Sequence, residues 1–280
     1  MGYVQENTSS VASVRNNMEI IPLKTRKIKP EDDLIEVLTD GLHTAKISLQ
    51  SGDIVAIVSK IVALTEGGLV DVRGKNTSKK SRYGAYKDSS ALLKYIESET
   101  DIGFDDDMFL TIKNNIFTPS AGVDTSNVSE GYAIGWPKDS YKSADTLRKK
   151  ILLNYEMSNA KLKNLGILIF DSCIIPLRNG VTGIALGYSG FQGVEDYRGK
   201  KDLFGNILRV TQKNIADGLA AAATVVCGEG RESIPFVIIR GAPAKSVLRV
   251  SRTEMTREPK DCLYRALYAK KLLSKKKIKK

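Results

Sequence analysis

Two apolar runs dominate the hydrophobic pattern of this 280-residue chain: Ile54-Val55-Ala56-Ile57-Val58 and Leu165-Gly166-Ile167-Leu168-Ile169-Phe170. Neither contains a polar residue, and both are short and rich in β-branched or large aliphatic side chains. Each therefore predicts a buried core strand. Ser51-Gly52-Asp53 supplies the turn into the first. Ile234 to Ile239 predicts a final core strand, residues 183–189 another, and Phe109 to Ile112 and Tyr132 to Trp136 two shorter extended pieces. Residues 19–28 alternate as an extended segment.

Helical spacing alternates with these runs. Pro30-Glu31-Asp32-Asp33 places acids where a helix N-terminus favours them, opening a helix from Asp33 to Lys46. Residues 89–98 read as a helix. From Ser143 to Leu153 the apolar Leu147, Ile151 and Leu152 fall on one side of another. Leu208 to Val226 predicts a strand running into an alanine-rich helix that packs closely on a neighbour. Residues 59–66 fit either a strand continuation or a helix, and Gly67-Gly68 ends whichever forms. Val72 to Lys87 is polar, basic and glycine-bearing, which predicts a loop, and Asp105-Asp106-Asp107 breaks the pattern again. Without repeats or regular β-α-β spacing, the predicted class is α+β or irregular α/β.

Composition narrows the class. With 42% hydrophobic and 27% charged residues the chain has the balance of a soluble globular protein able to bury a large core. No apolar run reaches the ~20 residues of a membrane-spanning helix. The polar stretch 1–17 lacks the apolar centre of a signal peptide and predicts a disordered extension. Cys173, Cys227 and Cys262 are too widely spaced for a metal knuckle or a disulfide framework, which points to a reducing, cytoplasmic setting. His43, the single histidine, lies in a helix-like stretch and reads as structural.

The net charge of +11 suggests a nucleic-acid binder until it is located. Eight cations and no acid after residue 264 leave only +3 for everything else. Residues 257–280 therefore read as a basic helix and tail, with Tyr264 and Tyr268 at i, i+4 beside Leu267 and Leu272 on one face. Binding of a specific nucleic acid is not expected.

Candidate chemistry gathers at two acidic breaks. Asp171-Ser172 follows the second apolar run, and Ala121-Gly122-Val123-Asp124-Thr125-Ser126-Asn127 lies upstream. A carboxylate ending a buried strand with a hydroxyl beside it suits a hard cation, Mg²⁺ or Mn²⁺, bridging to phosphate. The same residue types also serve as turn residues and helix caps. A P-loop is absent: Gly68 to Gly74 followed by Lys75-Asn76 has the wrong spacing and no Ser or Thr.

The ordered set of segments is more specific. Ala121-Gly122-Val123-Asp124 with Ser126-Asn127-Val128, Asp196-Tyr197-Arg198-Gly199 with Asp202-Leu203-Phe204-Gly205, Ala216-Asp217-Gly218 and Val237-Ile238-Ile239-Arg240-Gly241 resemble the γ-glutamyl ligase family of the deazaflavin coenzyme F-420. Ile28 to Leu34, Gly52-Asp53-Ile54-Val55, Val58-Ser59-Lys60 and Glu66-Gly67 fit as well. The likeness runs through residues 20–241 in order and lapses between about 68 and 118.

The resemblance implies a ligase-like domain over residues 18–256, with a two-lobed α+β fold that forms an intertwined homodimer. It implies joining of L-glutamate to a carboxylate acceptor, such as the deazaflavin precursor, with GTP and divalent cations, through an acyl phosphate. By motif, Asp124, Asp171, Ser172 (where a threonine is usual) and Glu229 match metal positions. Asp171 and Arg178 are assigned to catalysis. Ser59, Asn127 and Thr25, Arg26, Lys27 and Ile28 match nucleotide-contacting positions, the last four along a lining strand. Gly228 and Gly230 flank Glu229 and would let backbone N–H groups approach phosphate. The chain departs from the family at Leu64, where a nucleotide-binding lysine is usual, and at Ile174-Ile175, where Gly-Arg is preferred. Lys60, one helical turn before Leu64, is the expected replacement cation.

Overall fold

A computed structural model describes residues 17–74, 89–104, 109–157 and 162–266. Along the chain these form β1 (Glu19–Leu23), α1 (Leu34–Ala45), β2 (Ile54–Val58), α2 (Ser59–Thr65), β3 (Leu69–Asp71), α3 (Ser90–Glu99), β4 (Ile102–Gly103), β5 (Leu110–Lys113) and β6 (Ile116–Pro119). There follow β7 (Tyr132–Ile134), α4 (Ser140–Met157), β8 (Gly166–Ile174), β9 (Val181–Ser189), β10 (Val194–Asp196), β11 (Gln212–Asn214), α5 (Ile215–Cys227) and β12 (Phe236–Arg240). The class is a mixed α+β fold, as the irregular alternation predicts.

The apolar runs build one five-stranded sheet in the order β1-β12-β2-β8-β9. Only β2 and β8 pair in parallel, with Val58 opposite Phe170. Both faces of this pair are covered, which is why neither run carries a polar residue. Val55, Ile57, Ile167 and Ile169 face one core with α1 and α4. Ala56, Leu168 and Phe170 face another with Ala216, Ala220 and Ala223 of α5. Each large aliphatic side chain removed from water here contributes roughly 1.5–3 kcal/mol before entropic costs.

The alanine run of α5 has the close-packing role its composition predicts. A methyl group on Gly183 of β9 would lie 2.2 Å from the Ala220 carbonyl oxygen, so glycine on one side and alanine on the other set the approach. Asn214 caps α5 by accepting the Asp217 N–H at 3.0 Å, and Asp33 caps α1 through the Ile35 N–H at 2.7 Å. These caps use the residue types favoured at helix starts.

Two expectations need correction. First, β8 does not stop at Asp171: it continues to Ile174 in antiparallel register with β9, so Asp171 lies inside a strand and not in a loop. The hairpin with β9 supplies partners for the backbone beyond the apolar run, and burial on one face is enough there. Second, the strand at the N-terminus ends at Leu23, and residues 25–28 are irregular. There the Thr25 N–H turns to the Ser233 carbonyl and Ile28 is buried in the core. Residues 59–65 form helix α2, one of the two alternatives that their sequence leaves open. The expected loop at 72–87 falls mostly, the 105–107 break wholly and the basic tail from 267 outside the described residues, as does the extension 1–16. No described helix is long and apolar enough to cross a membrane.

Candidate active site

Because β2 and β8 run parallel, their carboxyl ends open at the same edge of the sheet. Ser59 and Lys60 begin α2 directly after β2, and Asp171 and Ser172 stand just past the register partner of Val58. Asp124 arrives from another direction. Ser120, Ala121 and Gly122 take successive left-handed conformations, turning the chain so that Asp124 pairs with Ile134 next to this edge. Gly122 has no substitute there, since a Cβ would sit 2.2 Å from the Trp136 indole.

On one face of the sheet edge, three charged groups meet. The Lys60 ammonium donates to Asp124 Oδ2 at 2.6 Å, to the Ser126 carbonyl at 2.8 Å and to Ser126 Oγ at 3.0 Å. Ser126 also donates to Asp124 through its backbone N–H and hydroxyl, each at 2.7 Å. Burial pushes the Asp124 carboxyl up, but the Lys60 ammonium and these hydrogen bonds outweigh it and hold the group below its ordinary range. Asp171 goes the other way. Burial pushes it up to about 6, against the Trp136 N–H and the Lys60 charge, and the Asp124 carboxylate pushes it further. Trp136 Nε1 donates to Asp171 Oδ2 at 2.6 Å.

On the opposite face, Ser172 Oγ donates to Glu229 Oε2 at 3.2 Å, just beyond the C-terminus of α5. Successive strand residues point to opposite faces, so Asp171 and Ser172 cannot share one. The fold thus splits the expected cation ligands into two pairs, Asp124 with Asp171 and Ser172 with Glu229. Among the described residues, no three His, Cys, Asp or Glu side chains form a ready-made ion cage. The two halves share a rim, where Asn127 Nδ2 donates to the Gly230 carbonyl at 3.1 Å. The first pair fits a hard cation by its chemistry: both carboxylates are oxygen donors, and the charge of one ammonium already acts on both.

The other expected residues are buried, exposed or already engaged. Ser59 is buried in the first turn of α2. Arg26 is held by Asp32 through two bonds of 2.6 and 2.9 Å, and Lys27 is exposed. Arg178 occupies the exposed turn after β8, four residues past its end, where its backbone N–H meets the Ile175 carbonyl. The Gly230 N–H expected to face phosphate is used by the Glu232 carboxylate at 2.8 Å, which also lies against Gly228. Leu64 packs on the core, so the position that would carry a lysine is apolar in surroundings as well as in identity. A cleft of about 950 Å³ opens at the far end of α2, lined by Asp33, Val62, Glu66, Lys142 and Lys150 among others, and none of the expected site residues borders it.

Sequence reasoning missed Trp136 and Glu232. A lone tryptophan reads as core, and Glu232 is one acid among many in a polar loop. Neither carries a local pattern that would single it out.

Known proteins resemble the chain over the same span. The profile of F420-0:Gamma-glutamyl ligase matches residues 22–241. A protein of Methanopyrus kandleri named coenzyme F420:L-glutamate ligase is 33% identical over 230 residues, covering 80% of this chain and 86% of its own. Its namesake in Methanocaldococcus jannaschii is 36% identical over 204 residues, 71% of this chain and 79% of its own. One from Archaeoglobus fulgidus is 31% identical over 259 residues, 89% and 99% respectively. The chain belongs to the F420-0:gamma-glutamyl ligase family.

Proposed function

We propose that this protein forms an amide between L-glutamate and a carboxylate acceptor, the deazaflavin coenzyme F-420 precursor or a close analogue, at the expense of GTP. The observation that carries this reading is the meeting of Lys60, Asp124 and Asp171 at the edge where β2 and β8 end. A carboxylate resists attack by an amine until its oxygen is made a leaving group. Transfer of the γ-phosphoryl group to the acceptor gives an acyl phosphate and GDP. The glutamate amine then attacks the acyl carbon, phosphate leaves with the C–O bond, and the amine gives up a proton. Lys60 would offset phosphate charge during transfer, and Asn127 would fix the rim on which the nucleotide rests. Asp124 and Asp171, with Ser172 and Glu229 across the edge, would hold Mg²⁺ or Mn²⁺. A divalent cation there supplies neutralisation of phosphate charge and alignment of the reactants.

The homodimer implied by the family finds support in the ribbon joined by β10 and β11. Its loop exposes Leu203, Phe204 and Val210 almost fully and Ile207 by more than half, a cost that a second copy would remove. We infer that this arm crosses to a partner and that the two-lobed shape of the family accompanies it.

A non-catalytic, nucleotide- or deazaflavin-binding role is the competing reading, and Leu64 and the exposed Ile174-Ile175 favour it. One assay separates the two. Purified protein is incubated with GTP, Mn²⁺, L-glutamate and the deazaflavin precursor, and products are weighed by mass spectrometry. The ligase yields an acceptor one glutamyl residue heavier together with GDP, and no heavier acceptor forms when glutamate, acceptor or GTP is left out in turn. Binding of GTP without any product would establish the competing role.

A further inference from the structure

Trp136 carries an inference that neither motif nor relative supplies. It is the single tryptophan of the chain, and its one polar atom is committed to Asp171 at 2.6 Å. The indole has little freedom. Gly122 packs against it, close enough that any side chain there would overlap Cε2. The Lys113 ammonium stands 5.4 Å from the ring centroid and is anchored in turn by Glu99. Lys113 is itself buried, so its charge acts on the ring with little screening from water. A cation on the π-face draws electron density from the ring and makes the indole N–H a stronger donor.

We propose that Trp136 is a positioning residue: by donating to one oxygen of Asp171 it fixes the rotation of that carboxylate, keeping it turned toward Lys60 and Asp124 and ready for a divalent cation. The proposal rests on the cation reading of the site given above. Without the indole donor, Asp171 could rotate about its χ2, which is soft for a carboxylate. The cation would then meet a ligand that must be ordered on binding. Packing alone gives no reason for the N–H, since a purely apolar ring would fill the same space beside Gly122.

The protein reports on this contact directly, because all tryptophan emission comes from Trp136. Mn²⁺, a paramagnetic quencher, should lower that emission saturably in the wild-type protein and leave it unchanged in Asp171→Asn. The donor is then removed without changing shape by placing 3-benzothienylalanine, the sulfur isostere of tryptophan, at position 136. Free Mn²⁺ is counted by electron paramagnetic resonance. Affinity should fall about tenfold, as for loss of a hydrogen bond to a charged group, with an unchanged melting profile. Wild-type Mn²⁺ affinity in the isostere, alongside lost affinity in Asp171→Asn, would overturn the role of Trp136 and leave the cation reading standing. Wild-type affinity in Asp171→Asn would remove the cation reading and this inference with it.

Discussion

Lys60 and Asp124 are 64 positions apart in the chain and 2.6 Å apart at the edge of the central sheet. The charge of the ammonium also reaches Asp171 and offsets repulsion between the two carboxylates. Replacing it with a neutral side chain should therefore act in opposite directions on the two kinds of ligand. In Lys60→Ala, GTP should bind about tenfold more weakly, the usual loss for a charge-assisted contact to phosphate. Mn²⁺ alone should bind no more weakly than before, because a competing cation has gone. Calorimetric titration of each ligand separately checks the pair of signs. A parallel loss of both would mean that Lys60 supports the local fold and not the nucleotide.

Asp171 gives the site a pH dependence. Its carboxyl is raised from 3.8 to about 6, chiefly by burial. Between those values the folded protein holds a proton that the unfolded chain has released. Stability contributed by the neutral acid is thus complete below about pH 4 and is lost as pH rises through about 6. The size of that loss is roughly 3 kcal/mol. In chelator, the wild-type melting temperature should fall between pH 5 and pH 7.5 relative to Asp171→Asn, which has no such proton. Mn²⁺ should narrow the gap at pH 7.5, and its affinity should drop below pH 6 as the proton competes.

The family-like segments announced the fold more directly than the chemistry. Val237 to Gly241 and Gly52-Asp53 resemble the family because they are two ends of one structural contact. Arg240 reaches the fully buried Asp53 carboxylate at 2.8 and 3.0 Å and also the Ser48 carbonyl. Asp217, in Ala216-Asp217-Gly218, accepts the Ala185 N–H at 2.8 Å and ties α5 to β9. Core strands were legible because burial on both faces leaves an unbroken apolar run. The length of β8 was not, because past Phe170 only one face is buried and Asp171 reads as a break. The division of the expected cation ligands between two faces was also hidden: motif matching gives residues their order but not the side of a sheet to which each points.

If Arg240 is structural, its removal should cost stability and not turnover. Arg240→Ala leaves Asp53 in the core with only the Gln50 N–H at 2.8 Å for company. Breaking such a pair on one side costs about 3 kcal/mol. The denaturant midpoint should shift accordingly, while the rate per folded molecule measured well below the transition stays near wild type. A lost rate with an unshifted midpoint would transfer Arg240 to the working site.

The exposed arm makes the last prediction. Leu203 and Phe204 are almost wholly exposed at the tip of the loop between β10 and β11. Asp202 shapes that tip by accepting the backbone N–H groups of Phe204 and Asn206 at 2.9 and 2.8 Å, so its form does not depend on the two apolar side chains. A turn held by its own hydrogen bonds presents Leu203 and Phe204 to water at no benefit to the monomer. Burying both against a second copy would recover roughly 1.5–3 kcal/mol for each per arm. Replacing both with aspartate should leave the melting curve of the isolated subunit intact and shift the sedimentation profile from dimer to monomer. A wild-type profile that is already monomeric at micromolar concentration would refute the arm as an interface. A double variant that stays dimeric would place the interface on another surface of the chain.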